Sequence, residues 1–471
     1  MFAQNQPAYY DRIETNFYST FYQANGMHPF WHTSNQFGIL TKAKSSSWVN
    51  GFSVHSKELF RITPGISFSA GVHGVGRISN GANSLHFQEF YGAFNYAGFR
   101  LSGGRFHHPT EILEPSLSTG SMMISNNAVP VNRFMLSTNG YLDIPFTNGI
   151  FQFHATYSDG VLEENRHVSH ARLHHKSLHL KTNVLMFEIM TGFIHNVQWG
   201  GTDPERGRLP MGFSDYIRIV TGQRADENSG ATEFEVNNRL GNTIASYDGS
   251  MIVHLGNGNQ ILAYRQIYLE DTHSLALRSY MDGLFGLGFR NINTGNIIDA
   301  ILVEHVNTIR QDSFSDAPKG RGNYYNHYVY QTGWSHFGSA IGNPLLTFDP
   351  SIGRFSNNMV LAWHTAFRGY LHERVSYTVK ATYSRNYGVC RDQIIFGSCI
   401  ITDQFPPDDN LSLLPRNELR KDQYSFLVEG TYMHPTLPNY RFNVSLGYDN
   451  GALLGNRLGI MIGMSVSDFH R

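Results

Sequence analysis

The sequence predicts a transmembrane β-barrel, and three observations carry that prediction. The 471-residue chain holds only 15% charged residues beside 13% aromatics and 46 glycines, whereas a soluble domain carries roughly 25% charged residues. Its longest apolar run is about five residues, and a membrane-spanning helix needs about twenty. Segment after segment alternates apolar and polar residues, the period-two pattern of a strand between lipid and a wet lumen. The hydrophobic fraction of 41% excludes disorder, and a net charge of −1 leaves no basic surplus for binding nucleic acid.

The alternation justifies the elements in order. Ile66, Phe68, Ala70 and Val72 alternate with Ser67, Ser69, Gly71 and His73. Phe151, Phe153, Ala155 and Tyr157 alternate with Gln152, His154, Thr156 and Ser158, and Val375 to Ser384 repeats the pattern. Phe442, Val444, Leu446 and Tyr448 alternate with Arg441, Asn443, Ser445 and Gly447. From Leu458 to Val466 the only exception is Met461. The expected strands are 35–43, 48–59, 66–79, 85–96, 99–107, 133–143, 150–158, 171–181, 184–199 and 243–255. The series continues at 260–269, 283–291, 297–309, 358–371, 375–388, 423–434, 440–448 and 456–467, eighteen in all. A soluble β-sandwich with one wet face is the alternative. It would need several domains in a chain of this length, and no linker is visible.

The connections refine the class. After even-numbered strands the links are tight and rich in Gly, Pro or Asn, as at Ala97-Gly98, Pro145 to Gly149 and Gly256 to Asn259. After odd-numbered strands they are often long, with large loops at 108–132, 200–242, 310–357 and 389–422. Short periplasmic turns and long extracellular loops are the outer-membrane arrangement, and an even strand count puts both termini in the periplasm. Residues 31–471 are therefore read as the barrel and 1–30 as a periplasmic N-terminal segment, with Met1-Phe2-Ala3 the remnant of a signal peptide. His327 to Phe337 looks strand-like but is assigned to the 310–357 loop, because one extra spanning strand would break the parity. Cys390 and Cys399, both in the 389–422 loop, are expected to pair, with two free thiols as the alternative. A bridge closing about ten residues would stabilise that loop by roughly 2–3 kcal/mol in the chain-entropy model.

Enzyme motifs are missing: the chain has no HExxH, GxSxG, phosphate-binding loop or Cys-based zinc pattern. Glu89 and Glu304 are the strand carboxylates a hydrolase would use, and hydrogen bonding within the lumen explains them equally well. His107-His108 and His174-His175 cannot chelate one metal from a regular strand, because adjacent residues face opposite sides. His175, His179 and Lys181 read as a polar stripe in the lumen. The glycines of 74–76 and 283–288 lie in strand patterns with no following helix, so kinks or close backbone approach explain them better than nucleotide binding. No metal and no cofactor is expected.

The loops hold the remaining candidates. Trp199, Asp203 and Arg206 open the 200–242 connection, and Asn323, Tyr324, Tyr325 and Trp334 lie in 310–357. Aromatic rings stack on the C–H faces of sugars, while Asn, Asp and Arg hydrogen-bond sugar hydroxyls, so these seven are candidate glycan-binding residues. The alternative is that they anchor folded loops or sit in the interfacial aromatic girdle.

The same residues carry a family resemblance. Pro29-Phe30-Trp31, Gln88-Glu89-Phe90-Tyr91, Leu117 to Gly120, Ser125 to Pro130, Leu173 to Lys176, Trp199-Gly200-Gly201, Asp282-Gly283-Leu284, Asn323 to Asn326 and Gly333-Trp334 occur in order. The chain resembles the Wzi family of capsule-assembly outer-membrane proteins, in the form found in Bacteroidetes-type bacteria. The resemblance implies an eighteen-stranded barrel at the cell surface, a lectin that helps attach surface polysaccharide. Polysaccharide, outer-membrane lipid and further outer-membrane proteins are the partners it implies. The competing functional class is a channel, or a barrel subunit of a larger complex, since eighteen strands can enclose an aqueous lumen. Long loops folded inward would instead plug it.

Overall fold

The computed structural model describes residues 13–40, 45–63, 65–80, 83–109, 112–237, 239–270, 277, 279–311, 322–389 and 420–468. Met1 to Ala3 and the Cys390–Cys399 pair lie outside the described residues. The long strands are β1 (Ile13–Ala24), β2 (Ser46–Thr63), β3 (Ile66–Ser79), β4 (Ser84–Tyr96), β5 (Phe99–Arg105) and β6 (Asn132–Thr138). Next come β7 (Phe151–Val161), β8 (Arg172–Val184), β9 (Phe187–Trp199), β10 (Asn242–Gly256), β11 (Asn259–Leu269) and β12 (Gly283–Asn291). The set ends with β13 (Ala300–Asn307), β14 (Val360–His372), β15 (Val375–Asn386), β16 (Lys421–Met433), β17 (Tyr440–Gly451) and β18 (Arg457–Ser467). Each pairs antiparallel with its sequence neighbours, and β1 closes the sheet on β18 with Phe17 opposite Val466. The result is a closed barrel of 18 strands.

The first strand corrects the sequence reading. Ile13–Ala24 lies within the segment assigned to a periplasmic lead, 1–30, and pairs with β2 along its whole length. Its aromatics fall on both faces: Phe17 and Phe21 point out, while Tyr18 and Tyr22 pack inward, which blurs the two-residue period. Of the strand expected at 35–43, the described residues 35–40 form no strand. Asn35 and Phe37 hold φ of 55° and 52°, left-handed values that a strand cannot contain. The remaining strands fall within a few residues of their expected places, and His327 to Phe337 does not span.

Links after even-numbered strands are as short as two residues at 97–98, 185–186, 257–258 and 373–374. Ala97-Gly98 and Asn257-Gly258 have positive φ at both positions, the type I′ geometry that matches strand twist. Links after odd-numbered strands include 25–45, 106–131, 200–241 and 308–359. The barrel thus has a short-turn end and a long-loop end. Its outer wall is apolar, with Leu178, Leu180, Val428, Val444, Leu446, Ile460 and Ile462 all exposed. Near the long-loop end Trp363, Tyr383 and Tyr424 share one register on β14, β15 and β16 and stack face to face, an aromatic girdle. Inside, rings lie over cross-strand glycines: a Cβ on Gly286 would meet the Tyr264 ring at 2.2 Å.

The core of the molecule lies in the lumen. Three links fold inward rather than away: 25–40 with its short helix Phe30–Thr33 (α1), 112–131, and 322–359. Leu117, Met122, Met123, Tyr324, Tyr325, Tyr330, Trp334, Leu346 and Phe355 pack there with Ile244, Tyr268, Leu284 and Leu302 from the wall. The 200–241 link behaves differently. Its helices α2 (Phe213–Thr221) and α3 (Glu233–Asn237) form a cap against Val197 and Trp199 on the outward face of β9.

Candidate functional site

The site is built from the loops that roof and fill the long-loop end. The two deeper loops are tied to the wall by saturated polar contacts. Ser118 Oγ donates to Glu304 Oε1 at 2.5 Å, the Thr119 N–H donates to Oε2 at 2.6 Å, and the Tyr264 hydroxyl also donates to Glu304. The Met122 N–H meets Gln266 at 2.9 Å, and Gln266 in turn donates to Asp248. Glu114 pairs with Arg290 at 3.1 Å and Arg368 at 3.0 Å. Glu304, a hydrolase candidate from sequence, therefore spends both carboxylate oxygens on holding a loop. Glu89 accepts the His107 N–H at 3.0 Å and faces His55 and His107.

The same two loops are clasped to each other. The Tyr325 hydroxyl donates to the Met122 carbonyl at 2.5 Å and accepts the Asn343 N–H at 2.9 Å. Trp334 Nε1 donates to the Met123 carbonyl at 2.7 Å. Asn343 Nδ2 reaches the Gly120 carbonyl at 2.6 Å, and Asn127 Nδ2 the Ala340 carbonyl at 2.9 Å. Tyr325 adopts φ of 68°, a strained conformation for a large side chain that its two hydrogen bonds and complete burial enforce. Gly342 is what lets its hydroxyl through: a Cβ there would lie 2.1 Å from it.

These contacts place the seven glycan candidates. Tyr324, Tyr325 and Trp334 have no accessible surface, so they cannot stack on a sugar and instead anchor the plug. The Tyr324 hydroxyl donates to Asp282 at 2.8 Å, and the Asn323 N–H donates to Glu270 at 2.7 Å. Trp199 is buried beneath the cap, with the Arg172 guanidinium 5.2 Å from its ring. The burial of these residues has one cause. In a barrel whose loops turn inward, aromatic and amide groups do the packing and hydrogen bonding of an interior, which loop composition alone cannot distinguish from a binding surface.

Arg206 remains at the surface above a buried Asp203, joined by two residues that sequence reasoning passed over. Arg206 lies over the Tyr328 ring at 4.9 Å and donates to its hydroxyl at 2.9 Å. Buried Asp203 accepts the Glu205 and Arg206 N–H groups, both at 2.9 Å, and pairs with the Arg206 guanidinium at 3.3 Å and His167 at 3.5 Å. Tyr328 sat in the stretch that resembled a strand, and its Tyr-Val-Tyr pattern was the available signal. An exposed tyrosine edge, a guanidinium and a histidine share one small surface here. Beside it, burial raises the Glu163 carboxyl, but the His336 hydrogen bond and the Arg166 charge outweigh that and hold it below the usual range. Burial also pushes His327 down to about 3, and its neutral Nδ1 accepts the Val329 and Tyr330 N–H groups.

Within the lumen His175 and His179 face inward, as the stripe reading expects, with His175 bonded to Thr156 and Asn196, both at 2.8 Å. Its neighbour His174 faces outward toward Asp159. Among the described residues no three of His, Cys, Asp and Glu converge to hold a metal ion. A cavity of about 430 Å³ lies between the 106–109 segment and the short-turn end, lined by Glu89, Tyr91, Arg100, His107, Tyr141 and His154.

A closed eighteen-stranded barrel with an apolar wall, an aromatic girdle and a lumen filled by its own loops is an outer-membrane β-barrel. The family model for the capsule assembly protein Wzi matches residues 13–347, and the chain belongs to that family. Among solved structures it is similar to Wzi of Escherichia coli, described as an outer-membrane protein involved in group 1 capsule assembly and a carbohydrate-binding β-barrel. That match has 16% identity, a TM-score of 0.57, and covers 96% of this chain and 84% of that one. OpdL of Pseudomonas aeruginosa matches at 8% identity and a TM-score of 0.49, covering 97% of this chain and 98% of that one. OccK5 (OpdH) of the same organism matches at 8% and 0.48, covering 97% of both chains. At these identities the likeness is one of fold. No curated sequence matches the chain.

Proposed function

We propose that the protein binds surface polysaccharide at its long-loop end, faces that end to the cell exterior, and acts in capsule assembly without catalysis or a cofactor. The observation that carries this reading is the clasped plug. Inward-folded links fill the long-loop end of the lumen, so the chemistry available there to a large ligand is at the roof, where Arg206, Tyr328 and His167 meet over Asp203. The carbohydrate-binding character of the Escherichia coli relative supports the ligand class. The saturated Glu304 argues against hydrolysis, since a carboxylate with three donors is poorly placed to accept another proton.

The test is a glycan array probed with the detergent-purified protein and its Arg206→Ala and Tyr328→Ala variants. Retention of an acidic or complex polysaccharide that both variants weaken supports the proposal, and no binding across a broad panel refutes it. Orientation is tested separately by labelling an Arg206→Cys variant in intact cells with a membrane-impermeant maleimide. Planar-bilayer recordings address the channel alternative, for which a clasped plug predicts almost no current.

A further inference from the structure

The cap on β7–β9 sits where a barrel should meet lipid. Outward-facing positions near the long-loop ends of these strands carry Tyr157, Asp159, His174, Lys176 and His195, a polar patch on an otherwise apolar wall. Ionisable groups facing hydrocarbon are costly. The cap gives them partners: Tyr216 of α2 donates to Asp159 at 2.6 Å and lies 2.6 Å from the Tyr157 hydroxyl, and the Lys176 ammonium donates to the Val220 carbonyl. Ile219 packs with Val197 and Trp199.

Having buried Ile219 against the wall, α2 turns its other side outward. Phe213 is 80% exposed and Ile217 44% exposed, at i and i+4 on one face. Tyr157 fixes the height. It lies four residues from the long-loop end of β7, so a tilted strand at about 3.3 Å per residue puts it roughly 10 Å below the rim. The exposed Leu178 and Leu180 continue the wall directly below Lys176 on β8.

We propose that α2 is an interfacial membrane helix, lying at the headgroup level with Phe213 and Ile217 dipping into the acyl boundary. The occupant of its exposed face is the bilayer, because that face is continuous with the lipid-facing wall and replaces a polar patch that lipid would not tolerate. The cap then does two things: it pairs the polar groups of that patch, and it holds the start of the 200–241 link, which carries Asp203 and Arg206, against the membrane surface.

The experiment places tryptophan at the face. Phe213→Trp, Ile217→Trp and, as a reference on the exposed cap surface, Gln223→Trp are reconstituted in phosphatidylcholine vesicles with and without brominated acyl chains. The emission added at 213 and 217 is expected to be largely lost in brominated vesicles and that at 223 largely retained. Equal quenching at all three sites, or none at 213 and 217, overturns the proposal and leaves the face for a protein partner. A second measurement uses Phe213→Asp/Ile217→Asp. Both positions are exposed, so the barrel should keep its heat-modifiable gel mobility. Trypsin should then cut after Arg218 and Arg224 faster than in the wild type in vesicles, with no difference in detergent. Equal cleavage rates in vesicles overturn the proposal.

Discussion

Changing Tyr325→Phe removes one oxygen atom and should loosen the plug. That hydroxyl donates to the Met122 carbonyl at 2.5 Å and accepts the Asn343 N–H at 2.9 Å, in surroundings with no solvent access. The ring keeps its packing, so the change isolates two hydrogen bonds that join the 112–131 and 322–359 loops. Leaving a buried donor or acceptor unpaired costs about 1–3 kcal/mol, and two such groups in the lower half of that range put the combined loss near 2–4 kcal/mol. At about 1.4 kcal/mol per factor of ten, the undocked population should rise roughly thirty- to thousandfold. Hydrogen exchange reads this directly, because the Asn343 and Ser125 amides are bonded only while the loops are docked. Bilayer recordings should show brief openings that the wild type lacks. Tyr330→Phe is the matched control: its hydroxyl bond to the Gly200 carbonyl is long, at 3.3 Å, and little change is expected. Unchanged exchange at Asn343 and Ser125 in Tyr325→Phe would refute the claim that the clasp holds the plug.

Glu304→Gln should weaken docking of the 117–119 segment, since an amide NH2 would oppose one of three donors; about 1–3 kcal/mol is expected, read as faster exchange at the Thr119 amide. Arg206→Ala should reduce polysaccharide retention while moving the thermal midpoint little, because Asp203 keeps the two backbone N–H donors of residues 205 and 206 and the His167 ring. Acid should also loosen the plug through His327. Burial lowers its folded-state value to about 3, below the ordinary 6.5, so the neutral form is favoured on folding. Its contribution is complete above the unfolded value and is lost progressively as pH falls from 6.5 toward 3. Exchange at the Val329 and Tyr330 amides should therefore rise over that window, and His327→Asn should flatten the dependence. Gly342→Ala, which would put a Cβ 2.1 Å from the Tyr325 hydroxyl and 2.5 Å from the Met122 carbonyl, should undock the clasp at any pH.

Much of the barrel was legible because a wall between lipid and lumen writes its two faces into alternate residues. Val375 to Ser384 and Phe442 to Tyr448 show this without help from context. β1 escaped because aromatics are welcome on both of its sides, at the girdle and in the lumen, so Phe17-Tyr18 and Phe21-Tyr22 cancel the period. The stretch 35–43 misled because Ile39 and Leu40 pack inside the barrel from an irregular segment, where apolar character carries no period.

The sequence by itself determined the class and which end bears the long loops, because low charge, alternation and turn chemistry are local properties. Only the tertiary structure decided where those loops go. Tyr324, Tyr325 and Trp334 have the composition of a sugar-binding surface, yet their hydroxyl, ring and indole N–H groups find partners in residues distant along the chain, Asp282, Met122 and Met123. A loop's side chains are interior or exterior according to what the closed wall offers them. That depends on contacts across the lumen, which no local pattern encodes.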